Sequence, residues 1–265
     1  MRPTLREWLR EAPFALGMSS GFFGFFAHAG VLSVLEEQGI LPNRVGGSSA
    51  GALVTGTWAA GVGAERLSAE LLSLERAHFW DPRPGAGLLA GRLFRERLES
   101  ILPVREIDCC RVPLCVSVYD VLARRVRVID RGPLAVALHA SCAVPILFHP
   151  VVYRGRVLVD GGVADRPGLT GLAAAPRVLF HHLASRSPWR RKDSEALRIP
   201  RREGLVTLVI EDLPRVGPFA LPEGRRAFER ARHATEQALD RPVHRPVHGA
   251  EVRVRASVGA RGARP

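Results

Sequence analysis

"VGGSSAGALVTG", Val45 to Gly56, sets small residues around two serines and then runs directly into an apolar, helix-like segment. Gly47-Ser48-Ser49-Ala50-Gly51 fits G-x-S-x-G, the strand-to-helix turn in which flanking glycines relieve crowding and let a serine hydroxyl project from a strained bend. Ser49 is the central serine of that register, because centring on Ser48 would put Ala50 where the second glycine belongs. A helix starting at Ala50 aims the amide of Ala50 from its positive end, where a developing oxyanion would sit. The competing reading is a turn that uses small residues only to pack tightly against a helix.

A serine hydroxyl is a weak nucleophile until a base takes its proton. Asp160 follows the apolar run "RVLV" and precedes Gly161 and Gly162, which places a carboxylate where a strand ends and the backbone turns sharply. The alternative is a turn aspartate that bonds its own backbone. Acyl transfer also needs donors for the negative oxygen. The loop in "GMSSGFFGFFAHAGVL" offers amides at Gly21 and Phe22, with Gly21 and Gly24 permitting unusual dihedrals.

Outward from the elbow, "PFALGM" (13–18) reads as a short buried strand, and Ala27 to Gln38 as a helix ended by Gly39. Helices are expected over 50–60, around Leu67 to Leu74, and over 88–102, where an amphipathic face suits either a lipid entrance or plain surface packing. "CVSVYDV", "RRVRVIDRG" and "RGRVLVDGG" read as strands, as do "RVLFHHLA" and "GLVTLVIED". Pro133 opens a helix-like stretch, and 224–240 reads as a final exposed helix. Strands separated by helices imply an α/β fold with a mainly parallel sheet covered on both faces.

The 265 residues, 46% hydrophobic, suffice for one domain over 1–240. Residues 241–265, rich in Pro, Gly and Arg, read as a flexible basic tail. No run approaches the length of a membrane-spanning helix, and Glu7 and Glu11 interrupt any signal-peptide core. A cytoplasmic protein, peripheral to membranes at most, is the resulting expectation. Cys109, Cys110, Cys115 and Cys142 match neither a C-x-x-C pair nor a zinc spacing, so they read as thiols in a reducing compartment, with no metal and no cofactor expected. Of the net charge of +12, eight units lie beyond residue 185, and the chain has a single lysine, Lys192. That basic surface suits a solvated face or an anionic membrane, and without an RNA-binding aromatic signature or a helix-turn-helix pattern no nucleic acid is expected as partner.

The loop followed by "AHAGVLSVLEEQGI", then "GGSSAGAL", then "ASCAVPILFHPV", then "DGG", in that order over about 13–167, resembles the patatin-like phospholipase family. The resemblance implies a three-layer α/β/α fold and hydrolysis of acyl esters of phospholipids or lysophospholipids. It maps a Ser-Asp dyad onto Ser49 and Asp160, and an oxyanion hole onto the amides of Ser20, Gly21, Phe22 and Ala50. The chain departs from the family pattern at Ser19 and Ser20, where glycines are usual, at Phe23, where a cation is usual, and at Arg166, where Asn is frequent. Two other readings stay open. One is a Ser-Asp-His esterase with His181, His182, His244 or His248 as base. The other is a non-catalytic module binding lipid or protein through Phe22, Phe23, Phe25 and Phe26. His28 matches a family position but falls within a helix pattern, where packing or capping is its expected role.

Overall fold

The computed structural model describes residues 2–184, 198–243 and 249–256. In chain order its elements are α1 (Leu5–Glu11), β1 (Ala15–Met18), α2 (Phe25–Glu37), β2 (Arg44–Ser48), α3 (Ala50–Ala59) and α4 (Ala64–Leu72). Next come β3 (Gly87–Leu89), α5 (Arg92–Ile101), β4 (Leu114–Asp120), β5 (Arg125–Ile129) and α6 (Leu134–Cys142). The remainder holds β6 (Ile146–Phe148), β7 (Val151–Tyr153), β8 (Arg156–Asp160), β9 (Val178–Leu183), β10 (Leu205–Glu211), α7 (Glu223–Leu239) and β11 (Ala250–Arg255).

The architecture is mixed α/β, a central and mainly parallel sheet flanked by helices in the α/β/α class. Strand order is β11-β10-β9-β1-β2-β4-β8-β7, with β5 on the free edge of β4. From β1 the chain moves outward through β2 to β4, then returns to lay β9 on the other side of β1. The carboxyl ends of β1 and β2 therefore lie beside a reversal of strand order, the place where open α/β sheets collect ligands.

Both faces of the central strands β1, β2, β4, β9 and β10 are buried. Along β9, Leu179 and Leu183 join the large core beneath the helices, whereas Val178 and Phe180 join a small core with Ala15, Leu172 and Leu205. That period of two is the strand's own geometry. The small core is roofed by Leu169 and Ala175, which flank a 3₁₀ turn at Thr170–Leu172. Helices α2 and α3 are buried along most of their length, so their sequences are apolar all round rather than striped. Helix α7 meets α2 through small residues, Ala231 closing on Gly30, and keeps its charged side outward.

Two segments differ from the sequence reading. Residues 87–89 form β3, paired with β6, so the amphipathic helix begins only at Arg92. Within the tail expected to be flexible, Ala250–Arg255 adds β11 in parallel to β10. Val252 and Val254 are buried while Arg253 and Arg255 face outward, a half-buried edge strand whose arginines mask its pattern.

Candidate active site

Ser49 stands between β2 and α3 with φ 52° and ψ −121°, a left-handed conformation that a non-glycine residue adopts at a cost of about 1–3 kcal/mol. Three hydrogen bonds hold it there. Its amide donates to Ser141 Oγ at 2.9 Å, Ser141 Oγ donates to the Ser117 carbonyl at 2.7 Å, and its carbonyl accepts from Leu53 N at 2.9 Å. The bend also brings α3 against the end of β1. A Cβ on Gly51 would collide with the Met18 carbonyl, and one on Gly47 would lie 2.6 Å from the Gly51 carbonyl carbon. The glycines either side of Ser49 are thus required by close backbone approach.

Asp160 reaches the same place by an unusual route. Residues 116–117 of β4 pair with both β2 and β5, and residues 118–120 pair with both β5 and β8. A strand has two edges, so β2 and β8 must share one of them. They run in opposite directions and meet end to end: Ser48 is opposite Ser117, and Asp160 is opposite Val118, the next residue of β4. One step along a strand is about 3.3 Å, which brings the end of β8 against the elbow. A Cβ on Gly161 would lie 2.7 Å from Ser48 Oγ. Asp160 is 4% exposed and Ser49 8%. Asp160 Oδ1 accepts from Gly162 N at 2.7 Å, and a Cβ on Gly162 would collide with Ser20 Oγ and come 2.9 Å from that same Oδ1. The Cys142 thiol is pushed well above its ordinary range, chiefly by burial and further by the Asp160 carboxylate nearby.

The loop after β1 is pinned by the residues that depart from the family pattern. Ser19 donates its amide to the His181 carbonyl, and its Oγ accepts from Leu183 N. The Ser20 amide donates to the Arg166 carbonyl at 2.7 Å, which takes it out of the expected oxyanion set. Arg166 in turn donates from Nη2 to the Leu183 carbonyl. Among the described residues the amides of Gly21, Phe22 and Ala50 donate to no protein acceptor, and all three residues line one cavity with Ser49.

His28 and His181 sit under this loop, fully buried and 2.8 Å apart between their Nδ1 atoms. His28 Nε2 lies 2.8 Å from the Ser19 carbonyl, so it must carry a hydrogen. Burial lowers His28 to about 4 and holds His181 well below the ordinary histidine range, leaving both rings neutral at pH 7. His28 Nδ1 is then an acceptor, and His181 Nδ1 must be the donor. His28 therefore packs and positions the loop. Neither His181 nor His182 lines the cavity that holds Ser49, and His244 and His248 lie outside the described residues. The histidine on the cavity wall is His78, whose Nδ1 accepts from the Glu75 amide.

The remaining wall is almost wholly apolar. Leu67, Leu71 and Leu74 come from α4 and the turn after it, Phe94, Leu98 and Ile101 from α5, and Val144, Leu147 and Phe148 from the segment after α6. The amphipathic helix thus walls the cavity beside Ser49, with an ion pair between Arg97 and Glu70 as the charged exception. Phe22, Phe23 and Phe25 also face this cavity, whereas Phe26 is core. Among the described residues no group of three or more His, Cys, Asp or Glu side chains converges as metal ligands would.

Residues 16–173 match the family model described as patatin-like phospholipase, which is more than half of the chain. The chain belongs to the patatin-like phospholipase family. An uncharacterized NTE family protein of Mycobacterium tuberculosis is 33% identical over 154 residues, covering 57% of this chain and 43% of that protein. Lysophospholipase NTE1 of Mycosarcoma maydis is 29% identical over 162 residues, covering 58% of this chain and 9% of its own length. The chain thus corresponds to less than half the length of these patatin-like relatives. Among solved structures, VipD from Legionella pneumophila superposes with a TM-score of 0.54 at 14% identity, over 86% of this chain and 67% of that one, a likeness of fold.

Ser141 was not legible as a site residue in the sequence, and Ser19 and Arg166 were legible only as departures from the family pattern, without their hydrogen-bond partners. Their contributions run through backbone groups of distant segments, and no local pattern signals such a partner.

Proposed function

We propose that this patatin-like chain is a serine acyl hydrolase that cleaves acyl esters of phospholipids or lysophospholipids, with Ser49 as nucleophile and Asp160 as general base. The observation that carries the reading is the end-to-end meeting of β2 and β8 on one edge of β4, beside an apolar cavity into which Ser49 opens. Family membership supports the class of reaction, and the name of the Mycosarcoma maydis relative supports lysophospholipid as a substrate.

In this mechanism the ester carbonyl lies over Ser49 with its acyl chain among the leucines and phenylalanines of the cavity. Asp160 accepts the Ser49 proton as Oγ attacks the carbonyl carbon. The tetrahedral oxyanion is met by the amides of Gly21, Phe22 and Ala50, whose hydrogens have no competing protein acceptor. Asp160 returns the proton to the leaving alcohol, and the acyl group remains on Ser49. Water then repeats the sequence and releases the fatty acid. Gly162 N, bonded to Oδ1, keeps the carboxylate from rotating between the two halves of the cycle. With Phe23 where relatives carry a cation, stabilisation of the oxyanion falls to backbone dipoles alone.

The substrate is presented at a membrane surface, with the protein on the cytoplasmic side. The four free thiols, which suit a reducing compartment, support that side. The test is an active-site fluorophosphonate probe. Labelling of the wild type that disappears in Ser49→Ala is expected, and a folded wild type that takes no label would overturn the proposal.

A further inference from the structure

Two apolar prongs continue from the walls of the cavity beside Ser49 into solvent. On one side an aromatic chain runs from Phe22 to Phe23, Phe79, Trp80 and Phe219, each ring centroid 4.9–6.5 Å from the next. Its two ends are outside, with Phe22 54% and Phe219 76% exposed. On the other side the β3–β6 ribbon carries Leu88, 50% exposed, and Ile146, 83% exposed, while the adjoining Val144 and Leu147 line the cavity. The residues after Trp80 tie the two together, since Ala90 N donates to the Asp81 carbonyl and Arg83 N to the Leu88 carbonyl.

Neither prong is explained by folding. Ile146 has φ 71°, a conformation that β-branched side chains avoid, and it spends that strain on holding an isoleucine in water. Phe219 packs on Trp80 and under the Arg76 guanidinium, 5.3 Å from its ring, instead of turning inward. Arg76 and Arg83 are exposed on this same region, so the apolar tips stand among cations on a chain of net charge +12. Aromatic rings and an aliphatic tip flanked by arginines match the zone where acyl chains give way to anionic headgroups.

We infer that Phe219, Trp80, Leu88 and Ile146 form a collar that seats the mouth of the cavity on an anionic phospholipid surface, so that an acyl chain passes from bilayer to Ser49 without crossing water. The inference rests on the proposed hydrolase reading and names the face through which that site is loaded.

The test combines flotation with vesicles, made of phosphatidylcholine alone or mixed with phosphatidylglycerol, and two hydrolysis assays, one on vesicle lipid and one on a water-soluble short-chain ester. The variants are Phe219→Ser, Ile146→Asn, whose asparagine tolerates the left-handed backbone, and the double variant. Wild type is expected to float with mixed vesicles more than with phosphatidylcholine alone. The double variant is expected to lose about tenfold or more of that binding, given the apolar area withdrawn, and to lose vesicle hydrolysis in proportion, with soluble-ester hydrolysis unchanged. Ser49→Ala is expected to float like wild type and hydrolyse neither substrate. A double variant that floats like wild type overturns the collar, as does a wild type that ignores vesicles but forms dimers in solution that the double variant loses. Loss of vesicle binding in the double variant, with no Ser49-dependent hydrolysis anywhere, would leave the docking face standing and remove the hydrolase reading instead.

Discussion

The amide of Ser49 donates to Ser141 Oγ at 2.9 Å, and through Ser141 the β2–α3 elbow is anchored to the Ser117 carbonyl of β4. Helix α6 therefore holds a strained residue of the β2–α3 turn in place from outside that turn. Ser141→Ala leaves the Ser49 amide unsatisfied, and stability is expected to fall by about 1–3 kcal/mol. On the proposed mechanism the rate constant for hydrolysis should fall more than the affinity for substrate, because the variant disturbs the position of Ser49 and not the cavity. Comparing kcat and KM of the variant on a soluble ester checks this, and an unchanged kcat would show that Ser141 only fills space.

Gly162 lies between Asp160 and Ser20, with no room for a side chain. In Gly162→Ala either the carboxylate or the loop serine must move. Activity is expected to drop by about two orders of magnitude, the range that a displaced general base costs. Circular dichroism and thermal unfolding should show a folded protein, since the substitution lies at a strand end and outside the large core.

The cavity wall makes a separate forecast about chain length. Leu147→Trp adds bulk where Leu147 and Val144 line the space beside Ser49. Long-chain esters should lose more activity than short-chain ones, measured as kcat/KM across a series of acyl lengths. A uniform loss across the series would mean that acyl chains lie elsewhere.

Four buried histidines make stability depend on pH. His28, His139 and His182 are held at about 4 and His181 well below the ordinary histidine range, mainly by burial, with Arg95 reinforcing the effect at His139 and Arg166 at His182. Below the ordinary value of 6.5 the unfolded chain takes up protons that the folded chain refuses. The stabilisation is therefore complete above pH 6.5 and lost as the pH falls toward 4, each histidine contributing a slope of about 1.4 kcal/mol per pH unit. Denaturant midpoints at pH 7 and pH 5 measure this, and His28→Gln should lessen the slope. Equal midpoints at the two pH values would contradict the neutral His28–His181 pair.

Much of the fold could be read from residues that act locally. "AHAGVLSVLEE" announces its helix by apolar content and the glycine beyond it, and the elbow is legible because close backbone approach demands glycine at fixed offsets from Ser49. What escaped depends on partners distant in sequence. β11 was hidden because an edge strand needs only Val252 and Val254 inside, and its arginines resemble a solvated tail. The Ser20 amide looked like an oxyanion donor until the loop around Arg166 was in view, since one backbone carbonyl decides where that hydrogen goes. The strand-end position of Asp160 was legible in "RVLVDGG" and its pairing with the elbow was implied by family resemblance, but the end-to-end meeting of β2 and β8 leaves no trace in composition or period.

The most direct measurement is hydrolysis of a panel of phospholipids and lysophospholipids by purified wild type, Ser49→Ala and Asp160→Asn, with folding of each confirmed. The account expects wild-type release of fatty acid, and a fall of about a thousandfold or more in each folded variant, as when one member of a nucleophile–base unit is removed. Asp160→Asn retaining wild-type turnover while Ser49→Ala is dead would contradict the pairing of the two residues, and activity surviving in Ser49→Ala would contradict the account as a whole.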